Sequence, residues 1–124
     1  MRKLDRATAD TYTVEDVEVA RWEQFGLGGL MPFNAMWYVV PPGAASPVDC
    51  HPELELSVVV SGEAVVHAGG RAAEVEQGSG FLIESHEDHM VSNRSPERPL
   101  VVFSAYWTAA EETTVASGGE VARA

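Results

Sequence analysis

Cysteine, basic residues and long apolar runs are all scarce in this chain. Cys50 is the only cysteine, so no intrachain disulfide can brace the fold, and a free thiol fits a reducing compartment, which makes the cytoplasm the expected location. Eight lysines and arginines stand against 19 aspartates and glutamates, a formal charge of −11. Such a chain repels phosphate backbones and has no basic patch that could displace counterions. Nucleic acid and anionic membrane surfaces are therefore not expected as partners. Nowhere do about 18 apolar residues run together, and the opening MRKLDRATADTYTV has basic residues without an apolar stretch behind them. Neither a membrane span nor a signal peptide is expected. A length of 124 residues leaves room for one core and one main site, so residues 1–124 are read as a single domain.

What the chain has in quantity is punctuation and alternation. Its 11 glycines and seven prolines are more than a helical bundle tolerates. Between them, apolar and polar residues alternate with period two over residues 34–40, 53–60, 63–68, 71–76, 81–85 and 100–107, which predicts short strands. Pro41-Pro42-Gly43, Ser61-Gly62, Gly69-Gly70, Gly78-Ser79-Gly80 and residues 93–99 separate them, each a turn signal. Gly69-Gly70 predicts a tight two-residue hairpin. Turns at intervals of about eight to twelve residues mark a sandwich or barrel, so the expected fold class is all-β. Residues 14–25 mix alternation with weak helical spacing and are read as an edge strand, followed by a loop through Gly26 to Gly29. The barrel is expected over residues 14–107. Residues 108–124, small, acidic and without aromatics, are read as a partly helical or frayed tail.

Chemistry concentrates in two stretches. In DCHPELE, Asp49, His51 and Glu55 share parity, so on a regular strand their side chains would leave one face and Cys50 the other. Polar groups on a strand that continues as LSVVVSG are costly to bury unless paired or coordinating a cation, and the reading is a metal site. Glu53 shares the parity, but Pro52 distorts the strand beside it, which makes Glu53 the weaker candidate. The second stretch is ESHEDHMVSN, whose His89 is the natural fourth ligand. His51 and His89 are too far apart for a helical His-x-x-x-His pair or a zinc ribbon, so only a fold that joins distant strands could unite them. The plainer alternative is a histidine hydrogen-bonded to a carboxylate, without metal.

Both stretches resemble the signature motifs of the cupin superfamily. The pattern Gly-x5-His-x-His-x3-Glu-x6-Gly is similar to the run from Gly43 through His51 and Glu55 to Gly62, with Asp49 where the family usually has its first histidine. The pattern Gly-x5-Pro-x-Gly-x2-His-x3-Asn is similar to Gly78, His89 and Asn93, with Glu84 and His86 in place of the usual proline and glycine. The resemblance implies a conical double-stranded β-helix barrel of jelly-roll type, usually dimeric, with Asp49, His51, Glu55 and His89 around a divalent metal ion. Imidazole plus carboxylate suits zinc and iron(II), and also manganese or nickel. With Asp49 coordinated, a near-neutralised ion is a weaker Lewis acid, which disfavours hydrolysis by metal-bound hydroxide. With Asp49 withdrawn, His51, His89 and Glu55 make the facial two-histidine, one-carboxylate set associated with non-haem iron.

Other residues admit two readings each. His86 is a candidate general acid or base at the barrel mouth, or an exposed loop histidine. Tyr38 is a candidate catalytic residue lining the pocket; alternation puts it with Met36, opposite Trp37, and leaves open which face is inward. His67 is expected to face solvent, and Cys50 to be a small packed residue, not a nucleophile. Trp37, Tyr38, Phe81, Phe103, Tyr106 and Trp107 are read mostly as core. The run LSVVVSG predicts a strand covered on both sides, as in a homodimer interface. The functional reading is a metal-dependent enzyme acting on a small organic molecule. It resembles stand-alone cupins of secondary metabolism such as polyketide cyclases, in which the metal acts as a Lewis acid in non-redox cyclisation, rearrangement or bond formation. A non-haem iron dioxygenase is the second reading and a non-catalytic ligand-binding barrel the third, since one scaffold hosts all of them. A sugar-nucleotide isomerase comes last, because no basic residues near the motifs could grip phosphate.

Overall fold

The computed structural model describes residues 1–109, so most of the tail expected over 108–124 lies outside the described residues. The strands are β1 (Tyr12–Val14), β2 (Val17–Arg21), β3 (Asn34–Val40), β4 (Leu54–Ser61), β5 (Glu63–Ala68), β6 (Arg71–Glu76), β7 (Gly80–Ile83), β8 (His89–Ser92) and β9 (Leu100–Trp107), with short 3-10 turns at Arg6–Thr8 and Trp22–Phe25. They form a six-stranded sheet in the order β1-β2-β3-β9-β4-β7 and a three-stranded sheet in the order β6-β5-β8. Every strand pairing is antiparallel. Isolated bridges from Ala45 to Ser92 and from Asp49 to His89 add the preceding segment to the free edge of β8. The result is the expected all-β jelly-roll barrel. No helix among the described residues is long and apolar enough to cross a membrane.

Period-two alternation decides what fills the barrel. On β4, Glu55, Ser57 and Val59 are buried while Leu56, Val58 and Val60 are exposed. Val40 and Tyr38 from β3, Leu100 and Val102 from β9, Ala64 and Val66 from β5, Ile83 from β7 and Val91 from β8 complete the core. Aliphatic side chains of this size contribute about 1.5–3 kcal/mol each when fully buried. Backbone geometry closes the ends. At the corner between β4 and β5, Gly62 has φ +91° and a Cβ there would lie 2.8 Å from the Pro99 carbonyl oxygen, so only glycine fits. Gly69 and Gly70, at φ +58° and +77°, make the expected two-residue hairpin between β5 and β6.

Three expectations are corrected. The residues read as one edge strand divide into the β1–β2 hairpin and the Trp22–Phe25 turn; the chain reverses at Glu15, which takes φ +55°. β8 was not read as a strand, because its residues were read as part of the histidine- and acid-rich stretch ESHEDHMVSN. The aromatics are mostly not barrel core. Of those named, only Tyr38 is buried. Trp37 and Phe103 face outward, where Trp22 packs on them at centroid distances of 5.0 and 5.1 Å. Parity is the cause: they alternate with Tyr38 and Val102, which take the inward positions.

Candidate metal centre

The stretch DCHPELE is not one strand, which corrects the regular-strand premise behind its parity. Asp49 is bridged to β8, its N–H and carbonyl exchanging 2.9 Å hydrogen bonds with those of His89. Glu55 lies on β4 in the other sheet. The chain crosses between the sheets at His51 and Pro52, and this crossing gathers the side chains.

Two imidazoles define the centre. His51 Nδ1 lies 3.1 Å from the Glu53 carbonyl oxygen, and His89 Nδ1 lies 2.9 Å from the Glu87 carbonyl oxygen. A carbonyl only accepts, so each Nδ1 carries a proton; in a neutral imidazole that leaves Nε2 with a lone pair, and in an imidazolium Nε2 donates as well. Both Nε2 atoms face Glu55 Oε1, at 3.2 Å from His51 and 3.8 Å from His89. The ring centroids are 4.8 Å apart. Ligand atoms of Asp49, His51 and His89 all lie within 4.8 Å of one another.

With both imidazoles neutral, this arrangement points acceptors at acceptors. Two bare ring nitrogens and a carboxylate oxygen, with Glu55 and His89 both buried, need a proton or a cation between them. Among the described residues, the groups within ion-pair distance of Glu55 are these two imidazoles and no lysine or arginine. Nitrogen and oxygen donors of this kind fit a divalent ion. Asp49 is exposed and its Oδ1 accepts from the Cys50 N–H at 2.8 Å, so it forms the open lip of the site.

The remaining candidates take distinct places. Glu53 holds His51 from behind, its Oε1 3.6 Å from Nδ1, and so lies on the wrong side of the ring to share an ion with Nε2. His86 is exposed and has φ +61°; its N–H donates to the His51 carbonyl at 2.7 Å, tying the two histidine-bearing loops together. Tyr38 faces inward with Met36, and burial together with the charge of Glu55 pushes its hydroxyl well above the usual phenol range. Cys50 is exposed, not packed as expected. A hydrogen bond to Asp88, then slight desolvation and the charges of Asp88 and Asp49, raise its thiol pKa, which disfavours the thiolate. His67 is exposed as expected. It borders a cavity of about 360 Å³ that Val48, His89 and Met90 also line; a cavity of about 600 Å³, lined by Gly62, Glu74 and Arg98 among others, contains none of the candidate ligands.

Sequence reasoning missed Ser57 and Ser104. Their hydroxyls are 2.6 Å apart and both residues are fully buried, so the interior next to Glu55 is polar. The signal was available, since Ser57 shares the inward parity of Glu55. Asn93 is a structural pin. Its side-chain amide donates to the carbonyls of Val40, Pro41 and Arg98 at 3.0, 3.3 and 2.8 Å.

With the geometry established, comparison with known proteins places the chain. No curated protein matches it. Among solved structures, a cupin 2 conserved barrel domain protein from Salinispora arenicola is 25% identical with a TM-score of 0.70, and 88% of each chain is covered. A predicted oxalate decarboxylase from Thermotoga maritima is 18% identical with a TM-score of 0.73, over 87% of this chain and 100% of that one. The polyketide cyclase RemF from Streptomyces resistomycificus is 17% identical with a TM-score of 0.73, over 86% of this chain and 78% of that one. The Cupin_2 family model, described as a cupin domain, matches residues 36–106, more than half of the sequence, and the chain therefore belongs to the cupin family.

Proposed function

We propose that this cupin is a metal-dependent enzyme acting on a small organic molecule by non-redox chemistry. The observation that carries the reading is the pair of Nε2 atoms turned on Glu55 Oε1 by carbonyl clamps on both Nδ1 atoms. His51, His89 and Glu55 would hold the ion, with Asp49 as the fourth ligand at the open lip. Bound there, a divalent ion supplies a Lewis acid that polarises a substrate oxygen or nitrogen. Two carboxylates and two imidazoles suit zinc, with iron(II), manganese and nickel as alternatives. The protein groups divide the other work. Glu53 and Glu87 fix the imidazole rings; Tyr38, Ser57 and Ser104 form a polar floor; His86, bonded through its backbone to His51, offers a proton-exchanging side chain at the mouth. That similar barrels include a polyketide cyclase and a predicted oxalate decarboxylase supports small-molecule chemistry by analogy of fold. The protein is read as a cytoplasmic homodimer.

Elemental analysis of protein purified without added metal tests this. Near-stoichiometric zinc is expected in the wild type, with loss in His89→Ala and a marked reduction in Asp49→Ala. Iron in place of zinc would transfer the reading to a dioxygenase. A wild type that holds no metal even after incubation with zinc would overturn it and leave a ligand-binding barrel.

A further inference from the structure

The inner face of the larger sheet carries a second polar group at the barrel mouth, apart from the histidines. Arg21 ends β2 directly opposite Met36 on β3. Met36 packs against the core, so Arg21 lies on the same, inward face. Tyr12 is opposite Val19, a core residue, and Tyr106 is opposite Glu55. All three therefore belong to the face that bears Glu55.

Their hydrogen bonds are arranged for an acceptor that none of the described residues supplies. Arg21 Nε donates to the Tyr12 hydroxyl at 2.6 Å, and Nη1 donates to the Tyr106 hydroxyl at 2.5 Å. Each phenol oxygen accepts from the guanidinium, so each phenol proton points elsewhere and is free to donate. Neither proton has an acceptor among the described residues, and Nη2 of Arg21 has none either. Arg21 is exposed. Among the described residues no carboxylate lies within ion-pair distance of it, as is also true of Arg2, Arg6, Arg71 and Arg98. Glu23 acts on it only through longer-range charge. The tyrosine rings flank the guanidinium, with centroids 5.8 and 5.9 Å away, and limit its movement. A cation held between two phenols, with both phenol protons and Nη2 left to donate, matches a carboxylate.

We propose that Arg21, Tyr12 and Tyr106 form an anion-binding subsite at the barrel mouth that takes a carboxylate of the substrate. Identifying that anion as part of the substrate rests on the metal-enzyme reading; the subsite itself does not. β2 and β4 are separated by β3 and β9, about 14 Å of sheet, and the reach of Arg21 to Tyr106 narrows the gap to Glu55 to the order of 10 Å. The substrate class is thus a small organic acid whose carboxylate lies at one end and whose metal-binding oxygen or nitrogen lies at the other.

Solution NMR of the labelled protein, metal-free and zinc-loaded, tests the subsite with benzoate as the probe and benzamide as its neutral counterpart. Benzoate is expected to cause saturable shifts of the Arg21 Nε–H signal and of the Tyr12 and Tyr106 rings in the metal-free protein, and benzamide none. Arg21→Gln should abolish these shifts, and Tyr12→Phe, which keeps the arginine, should weaken binding by about tenfold. Equal binding of benzamide, no saturation in the metal-free protein, or an unchanged response in a folded Arg21→Gln variant would overturn the proposal. Shifts confined to His51 and His89 in the zinc-loaded protein would refute the subsite and leave the metal reading standing. Shifts at Arg21 in a protein that takes up no zinc would do the reverse.

Discussion

His86 occupies left-handed backbone at φ +61°, a region that costs a residue with a Cβ about 1–2 kcal/mol. The position is one where the second cupin motif prefers glycine. The penalty is borne in a loop whose N–H fastens it to the His51 carbonyl, with the imidazole exposed. His86→Gly should raise the unfolding free energy by about 1 kcal/mol, as read from urea denaturation, while lowering turnover if the imidazole exchanges protons with substrate. A variant that is less stable would show that the side chain makes packing contacts worth more than the strain. The same scale accounts for the different fates of the motif residues. Glu55 and His89 are buried because they face a shared centre, and Asn93 is buried because three carbonyls surround its amide. Motif spacing marked all of them without telling ligand from pin.

Strand β4 shows how one element serves two faces. Its inward row runs from Glu55 through Ser57 to Val59, from the site to the core. Its outward row, Leu56, Val58 and Val60, is 37–44% exposed, and Leu82 of the neighbouring β7 is 51% exposed. β7 is also the edge of the six-stranded sheet, with unpaired backbone groups next to this aliphatic face. A second copy of the chain is the occupant we assign to it, since exposed contiguous aliphatic surface is otherwise a liability. Sedimentation of the wild type should give a dimer at micromolar concentration, and Val58→Asp should give a folded monomer with its metal content retained. A wild type that sediments as a monomer would remove the face from consideration as an interface. The sequence run LSVVVSG announced a strand with two apolar requirements, and the parity of Ser57 with Glu55 placed a serine in its inward half.

Across the molecule, the buried phenol of Tyr38 links interior polarity to stability. Burial, then the charge of Glu55, raises its folded pKa above that of the unfolded chain. Stability is therefore undiminished below the unfolded value, about pH 10, and falls as pH rises beyond it, because the unfolded chain loses a proton that the folded chain keeps. The fall from one such group approaches about 1.4 kcal/mol per pH unit. Urea midpoints measured from neutral pH upward should decline above that point in the wild type, and less steeply in Tyr38→Phe. Equal slopes would show that the phenol is not held protonated inside the barrel.

The sequence by itself determined the all-β class, most strand positions and the Gly69-Gly70 hairpin, and marked Asp49, His51, Glu55 and His89 as candidates. These are consequences of local alternation, of turn-forming residues and of motif spacing, all of which are written along the chain. Only the tertiary structure decided that Tyr38 faces inward and Trp37 outward, that Asp49 and Glu55 belong to different sheets, and that Arg21 meets Tyr106 from a distant strand. It also decided that Ser57 and Ser104 meet in the interior next to Glu55. The reason is that alternation assigns residues to two faces without saying which is the interior. That choice, and every contact between strands remote in sequence, follows from how the sheets close on one another.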